Sequence, residues 1–291
     1  MIGTVLLLCF LFSWIRPVDA RMVHLDPGVR GAEKAVQLSL AKDSVDDMFF
    51  GCSAAMTELV KNTLFKKENK GMFADVWKGA EACAVKNLKK RKAEDEALTK
   101  QHMQAICAYT SDEDGDFYNT FNQALRRNMK NYGAGFPFHT LYFWLTSAVQ
   151  LLNNNKKCHT TFRRTNLDFT GKVSGEVRFG SFASSSYKPT LVDFGNKTCF
   201  RIRTCLGASL RSFSVVKEEE EVLIAPYEIF KITAKKKGCD VPELVGCRVV
   251  YMLQSVGLLS NLNCKLVNAV TEHTEGLSDH GSVSDFFGQT L

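Results

Sequence analysis

The sequence predicts an α+β fold in which a helical N-terminal lobe precedes a β-rich C-terminal unit. Two changes in pattern predict it. Up to about residue 152 the apolar residues recur at helical spacing, whereas after about residue 153 short runs of β-branched and aromatic residues alternate with turn formers. No long helical pattern separates these runs, so parallel strands joined by helices are not indicated.

The first twenty residues have the pattern of an export signal. Residues 5–15 are mostly apolar, the run is too short to span a bilayer, and Val18 and Ala20 are the small residues that precede a cleavage site. A buried N-terminal helix is the alternative interpretation. The last residues, 271–291, are polar and lack the hydrophobic tail of a glycolipid anchor signal, which predicts a secreted, extracellular protein without a membrane anchor.

The predicted helical lobe covers residues 21–152, and its helical pattern begins near Ser44. Met56, Val60 and Leu64 follow helical spacing, and residues 141–152 form a strongly apolar last helix. The β-rich core covers residues 153–270. Its predicted strands are 177–179, 198–204, 213–216, 222–224, 230–234 and 248–253.

The ten cysteines and the charge pattern limit the classes of function. Cys9 lies in the predicted signal, and export predicts that most of the remaining nine cysteines are paired. No Cys-x-x-Cys pair occurs and the six histidines are scattered, so no metal is expected. The net charge of +6 lies mostly in lysine runs without interleaved aromatic residues, which favours solvated surfaces over a nucleic-acid partner. Asn196 begins an Asn-Lys-Thr glycosylation motif.

Two polar segments of the β-rich unit contain candidate ligand-binding residues. Arg163 lies in Thr-Phe-Arg-Arg-Thr, and a guanidinium offers a fork of donors suited to phosphate oxygens, although most arginines serve only solubility. The adjacent hydroxyls of Ser184, Ser185 and Ser186 follow Phe182 and offer hydrogen bonds to a ligand or a catalytic carboxylate. Taken alone, the three serines favour a plain turn with serine at an edge.

Four glutamates directly precede an apolar strand. If Glu221 begins that strand, Glu219 and Glu221 project to the same side, because side chains alternate along a strand. Two carboxylates on one face suit glycosyl transfer: one stabilises the positively charged sugar as the bond breaks, and the other deprotonates the acceptor. A solvated acidic loop is the alternative.

Taken together, Arg163, Ser184 with its two following serines, and Glu219-x-Glu221 before Val-Leu-Ile resemble the Arg-Ser-Glu motif of the vertebrate arginine-specific ecto-ADP-ribosyltransferases. Further segments similar to that family occur in the same order between about residues 46 and 264. They include Phe-Asn-x-Ala-x-Arg at 121–126, Val-Arg-Phe-Gly at 177–180, Phe-Gly at 194–195 and Gly-Ala at 207–208.

The resemblance implies an NAD-binding catalytic core of two opposed sheets and a mono-ADP-ribosyltransferase that splits NAD and modifies protein arginines. NAD is then a substrate, with NADP as a further one, and no cofactor is permanently bound. By resemblance, Arg163 contacts the NAD phosphates, and Ser184 holds the nicotinamide ribose and orients Glu221. Glu221 is the catalytic carboxylate, and Glu219 receives the incoming guanidinium. Arginine-bearing proteins are the expected acceptors, and the enzyme is expected to be a monomer.

The family pattern also implies two disulfides, Cys52 with Cys264 and Cys158 with Cys205. For the remaining cysteines we predict Cys83 with Cys107 and Cys239 with Cys247. The chain departs from the family at Arg164, where glycine is common. A side chain there is expected either to crowd the dinucleotide or to add a phosphate contact.

Two other functions stay open at this point. An NAD glycohydrolase, with water as the effective acceptor, would share Arg163, Ser184 and Glu221 and differ in the use of Glu219. A disulfide-stabilised secreted binding protein would keep the fold and lose the chemistry. Labelled arginine adducts distinguish the first alternative, and NAD binding without turnover identifies the second.

Overall fold

The computed structural model describes residues 35–111, 116–153 and 157–269. The predicted export signal (1–20) and the polar tail (271–291) lie outside these residues. The described part contains seven α-helices ahead of the large sheet, a further helical segment at 265–269 after it, and ten strands. The α+β prediction is confirmed.

The seven numbered helices lie between Ser53 and Asn153, as the apolar spacing predicts. A π-helical segment, Val60–Leu64, joins the first two without a break. The helices are α1 (Ser53–Leu59), α2 (Phe65–Glu68), α3 (Gly71–Gly79), α4 (Glu81–Leu88), α5 (Lys100–Thr110), α6 (Asp116–Arg127) and α7 (His139–Asn153).

Buried side chains cap two of the longer helices, α7 and α5. Glu68 accepts hydrogen bonds from the backbone N–H groups of His139 and Thr140, at 3.0 and 2.8 Å, and so satisfies the first turn of α7. At α5, the N–H of Thr99 donates to Nδ1 of His102 at 2.9 Å, and Nε2 of the same ring lies 2.9 Å from the Ser147 hydroxyl. Because Nδ1 is an acceptor, the ring is neutral, with its proton on Nε2.

The strands form one eight-stranded sheet and a separate parallel pair, β1 with β3. In the large sheet the order is β4-β9-β10-β6-β2-β5-β8-β7, and only the β10–β6 pair is parallel. The strands are β1 (Val36–Gln37), β2 (His159–Thr165), β3 (Phe169–Thr170), β4 (Glu176–Val177), β5 (Ala183–Ser186), β6 (Thr198–Thr204), β7 (Ala208–Ser209), β8 (Glu221–Ile224), β9 (Glu228–Lys236) and β10 (Val249–Leu258).

The large sheet consists of two halves. Strands β2 and β5 share a single residue pair, Phe162 with Ser186, so the halves diverge there. Ala183 and Ile224 of the shorter half belong to the same buried cluster as Phe200 and Tyr251 of the longer half. The halves therefore enclose a common core, as expected for two opposed sheets.

One predicted strand is wrong. Residues 213–216 form no strand: the backbone turns through a 3-10 segment, Arg211–Phe213, and Phe213 packs in the core that the helices share with β7 and β8. The backbone groups of this segment bond to the helical lobe, through Asn87 and Thr110, and not to a neighbouring strand. Phe213 therefore serves the helical core, whereas Val215 is exposed.

A buried ion pair joins the two ends of the described chain to the sheet. Arg178 and Asp46 lie 2.8 Å apart with fully buried side chains, and Arg178 also donates to the carbonyl of Leu259. The Asp46 carboxylate accepts from the backbone N–H groups of Asn261 and Leu262. Each charge is thus surrounded by hydrogen bonds, which offsets the cost of removing it from water.

Four disulfides cross-link the described part of the chain. Cys52 is bonded to Cys264 and Cys158 to Cys205, the two pairs that the resemblance implies. The structure also contains the predicted Cys83–Cys107 bond. The prediction that Cys239 pairs with Cys247 is wrong, because Cys247 lies opposite β6 and is bonded there to Cys199. Cys239 is exposed with a free thiol.

Candidate active site

Three adjacent strands bring the predicted site residues together. Arg163 lies on β2, Ser184 on β5 and Glu221 at the start of β8, and β5 is hydrogen-bonded between the other two strands. Nη1 of Arg163 donates to the Ser184 carbonyl at 2.5 Å. All three residues are buried, each less than a tenth exposed. The site is therefore built into the sheet, and the serines form a strand instead of the turn that their composition allowed.

Glu219 and Glu221 reach the same cleft by different means. Glu221 is the first residue of β8, but Glu219 ends a 3-10 turn, Lys217–Glu219, so alternation along a strand does not relate the two residues. Between them, Glu220 has a left-handed backbone with φ of 48°. The Ser186 hydroxyl donates to the Glu219 carbonyl and holds the turn against β5.

The cleft also contains residues that no sequence motif indicated. The side chains of Ser184, Glu219 and Glu221 line it with Tyr109, Tyr118 and Ser214. The Ser214 hydroxyl donates to Oε2 of Glu221 at 3.2 Å. Burial, followed by Tyr118 and Glu221, raises the pKa of Tyr109 well above its usual range, so its phenol stays protonated.

A second cavity, of about 200 Å³, adjoins the cleft at Tyr118. Its lining includes Arg126, Arg163 and Arg178, and the guanidinium of Arg178 is already bound to Asp46. Burial, with a smaller contribution from the neighbouring Arg163, lowers the pKa of Arg126 to about 10, which leaves it charged at neutral pH. A cavity lined by buried guanidinium groups suits an anionic ligand such as a phosphate. Arg126 ends the Phe-Asn-x-Ala-x-Arg segment, but its spacing alone gave it no role.

Arg164 lies on the opposite side of β2 from Arg163. Its Nε donates to the Pro189 carbonyl at 2.7 Å, and its Nη1 lies 3.2 Å from Sγ of Cys247. Successive side chains of a strand point to opposite faces, so the expectation that Arg164 crowds or contacts a dinucleotide is wrong. Arg164 instead packs against the Cys199–Cys247 disulfide.

Within residues 35–111, 116–153 and 157–269, no group of three or more potential ligand side chains is arranged to hold a metal ion. The same ranges contain no helix that is both long and apolar enough to cross a bilayer.

Structural comparison identifies the class of protein. The eukaryotic mono-ADP-ribosyltransferase ART2.2 superposes with a TM-score of 0.66 at 30% sequence identity, over 79% of this chain and 98% of ART2.2. Matching structures include single-site variants of ART2.2 in complex with NADH and with NAD. The fold is that of a mono-ADP-ribosyltransferase.

Sequence comparison then identifies the family. The sequence model of the NAD:arginine ADP-ribosyltransferases matches residues 38–242, and the chain belongs to this family. Ecto-ADP-ribosyltransferase 5 of Rattus norvegicus is 38% identical over 67% of this chain and 67% of its own length. Ecto-ADP-ribosyltransferase 4 of Homo sapiens is 33% identical over 89% of this chain and 83% of its own. GPI-linked NAD(P)(+)--arginine ADP-ribosyltransferase 1 of Homo sapiens is 32% identical over 80% and 75%.

Family and structural match together support transfer of ADP-ribose from NAD to arginine as the activity of this chain, and NAD as its substrate. The family prediction made from the Arg-Ser-Glu pattern is confirmed.

Proposed function

We propose that the cleft of Ser184, Glu219 and Glu221 is where the nicotinamide bond of NAD is broken and ADP-ribose is passed to a protein arginine. One observation carries this proposal: a hydroxyl and two carboxylates line one cleft, which adjoins a cavity lined by guanidinium groups. The cavity suits the phosphates of NAD, with Arg163 and Arg126 as donors. The nicotinamide ribose then lies at the cleft, whose volume of about 10 Å³ has to widen to admit it.

Glu221 is the proposed catalytic carboxylate. As the bond between C1′ of the ribose and the nicotinamide nitrogen breaks, nicotinamide leaves with the bonding electrons and positive charge develops on the sugar. A carboxylate that is only 5% exposed acts at low dielectric, where it stabilises such a charge more than it would in water. Ser184, on the adjacent strand, is placed to hold the ribose beside it.

Glu219 is the proposed acceptor residue. It is more exposed than Glu221, because it lies in a turn and not within the sheet. An arginine side chain that enters the cleft meets this carboxylate before it reaches the ribose. A guanidinium nitrogen then forms the new bond to C1′, and Glu219 accepts the proton that this nitrogen loses.

Two isosteric variants test these roles. Glu221→Gln is expected to lower both NAD cleavage and arginine transfer by roughly 100-fold or more, because it removes the preorganised charge. Glu219→Gln is expected to lose transfer and to keep part of the NAD hydrolysis. Labelled NAD and an arginine analogue report both activities, as adduct and free nicotinamide. Normal labelling by Glu221→Gln would overturn the assignment, and equal loss of both activities in Glu219→Gln would remove its acceptor role.

We further propose an extracellular site of action, which four disulfides support because such bonds persist in oxidising compartments. Release without an anchor stays a prediction, since one relative is named as GPI-linked. Phospholipase treatment of expressing cells, with activity measured in the medium before and after, tests it. Use of NADP, a monomeric state and glycosylation of the exposed Asn196 stay predictions too. Turnover measured with NAD and with NADP tests the first, sedimentation tests the monomeric state, and glycosidase digestion tests modification of Asn196.

A further inference from the structure

Ser214 makes a direct contact with the proposed catalytic carboxylate from outside the Arg-Ser-Glu pattern. Its Oγ lies 3.2 Å from Oε2 of Glu221 and 3.4 Å from the carbonyl of Val216. A hydroxyl has one proton to donate, and the shorter contact is to the charged acceptor, which makes the stronger hydrogen bond. Ser214 is 3% exposed, so water competes little for this proton.

The helical lobe fixes the position of this hydroxyl. On one side of Ser214, the Phe213 carbonyl accepts from Nδ2 of Asn87 at 2.7 Å. On the other side, the Val215 N–H donates to Oγ1 of Thr110 at 3.1 Å. Asn87 belongs to α4 and Thr110 to α5, and the Cys83–Cys107 disulfide cross-links these two helices. The backbone on both sides of Ser214 is therefore held by one cross-linked helix pair.

We propose that Ser214 is a positioning residue for Glu221: it holds the carboxylate ionised and turned toward Ser184. A hydrogen bond donated to the ionised form favours that form, and a donor fixed in advance requires no rearrangement during the reaction. This role rests on the proposed function of Glu221. It makes the helical lobe part of the catalytic apparatus, because α4 and α5 determine where the donor lies.

Three variants of the full chain test the proposal. Ser214→Ala removes the donor, Ser214→Thr restores a hydroxyl, and Ser44→Ala is the matched control. Ser44 is fully buried and its hydroxyl donates to the Ala41 carbonyl, so its loss removes a comparable bond that does not involve Glu221. The readouts are kcat and KM for NAD cleavage without an acceptor, the pH dependence of kcat, and thermal unfolding.

Ser214→Ala is expected to lower kcat about tenfold, the loss typical of a hydrogen bond to a charged group, with KM for NAD changed by less than about twofold. The acidic limb of the kcat profile shifts to higher pH, because the carboxylate loses a donor that favoured its charged form. Ser214→Thr restores both, and Ser44→Ala leaves both unchanged. A structural role alone would lower the unfolding temperature without moving the acidic limb.

An unchanged kcat and acidic limb in Ser214→Ala would overturn the proposal, as would an equal shift in Ser44→Ala. Failure of the underlying function is seen separately with Glu221→Gln. If that variant still cleaves NAD, the role of Glu221 itself is wrong. If it is inactive while Ser214→Ala behaves as wild type, only the role of Ser214 is lost.

Discussion

Asp47 provides a test of how burial acts on a carboxyl group in this fold. Its side chain is fully buried, and Oδ1 accepts from the backbone N–H groups of Phe49 and Cys264 while Oδ2 accepts from the Tyr132 hydroxyl. Burial nevertheless dominates these hydrogen bonds and raises the pKa of Asp47 from 3.8 to about 6. The folded state therefore binds a proton that the unfolded state has already lost between these two pH values.

The sign and size of the effect follow from linkage. A carboxyl group with a raised pKa in the folded state stabilises the fold below pH 3.8 and loses that contribution as the pH rises through about 6. A difference of about 2 pKa units corresponds to about 3 kcal/mol. Asp47→Asn should abolish this loss. The amide oxygen of the asparagine accepts from both backbone N–H groups, and the amide nitrogen donates to the Tyr132 oxygen once the hydroxyl hydrogen of Tyr132 has rotated away.

Urea unfolding of wild type and Asp47→Asn at intervals between pH 3.5 and pH 7 measures the difference in free energy of unfolding. We expect the variant to gain about 3 kcal/mol relative to wild type across this interval, because other titrating groups contribute equally to both proteins. A free-energy difference that stays constant with pH would show that Asp47 ionises normally, and would refute the reasoning from burial.

Three further outcomes are expected. Burial lowers the pKa of His102 from 6.5 to about 4, so about 3 kcal/mol of stability that is present above pH 6.5 is lost as the pH falls through about 4. His102→Gln should remove this pH dependence of the free energy of unfolding measured with urea, and the same pH dependence in both proteins would contradict the expectation. Asp46→Asn leaves the buried Arg178 without its counter-charge and should cost about 3–5 kcal/mol, which thermal and urea unfolding would show; a loss below about 1 kcal/mol would mean that the backbone carbonyls suffice. Glu220→Val places a β-branched side chain at a residue with left-handed backbone and should displace Glu219, so arginine transfer falls while NAD cleavage persists. Glu220→Gly should keep both activities, because glycine adopts this backbone conformation freely. Equal transfer and cleavage activities in the two variants would exclude a requirement for the left-handed backbone.

The sequence predicts the fold best where the spacing of apolar residues in a segment matches the helix or strand that the segment itself forms. The strand predicted at 198–204 has the observed bounds of β6, in which the buried Phe200 and Ile202 alternate with the more exposed arginines at 201 and 203. Residues 213–216 show a similar apolar texture, but Phe213 is buried against helices and not within a sheet. Periodicity records that a residue is buried and does not identify the element against which it packs.

Long-range contacts explain the other departures. The three serines form β5 because β8 pairs with every residue of that strand, and no local propensity favours a strand there. The partner of Cys247 depends on β6, which brings Cys199 opposite it, although Cys239 is nearer in sequence. Tyr109 and Ser214 enter the cleft through the packing of α5 and the turn before β8, and neither belongs to a motif.

The Arg-Ser-Glu motif identifies the family correctly, although the strand geometry inferred for its two glutamates is wrong. Two residues apart on a continuous strand, their side chains would be held by one hydrogen-bonded ladder and would move together. Here β8 holds Glu221, whereas a turn, bonded to Ser186 and completed by the left-handed Glu220, holds Glu219. Under the proposed function, bond cleavage and acceptor binding would thus be supported by separate parts of the backbone. We therefore expect substitutions in the turn to alter acceptor use while the strand keeps the proposed catalytic carboxylate in place.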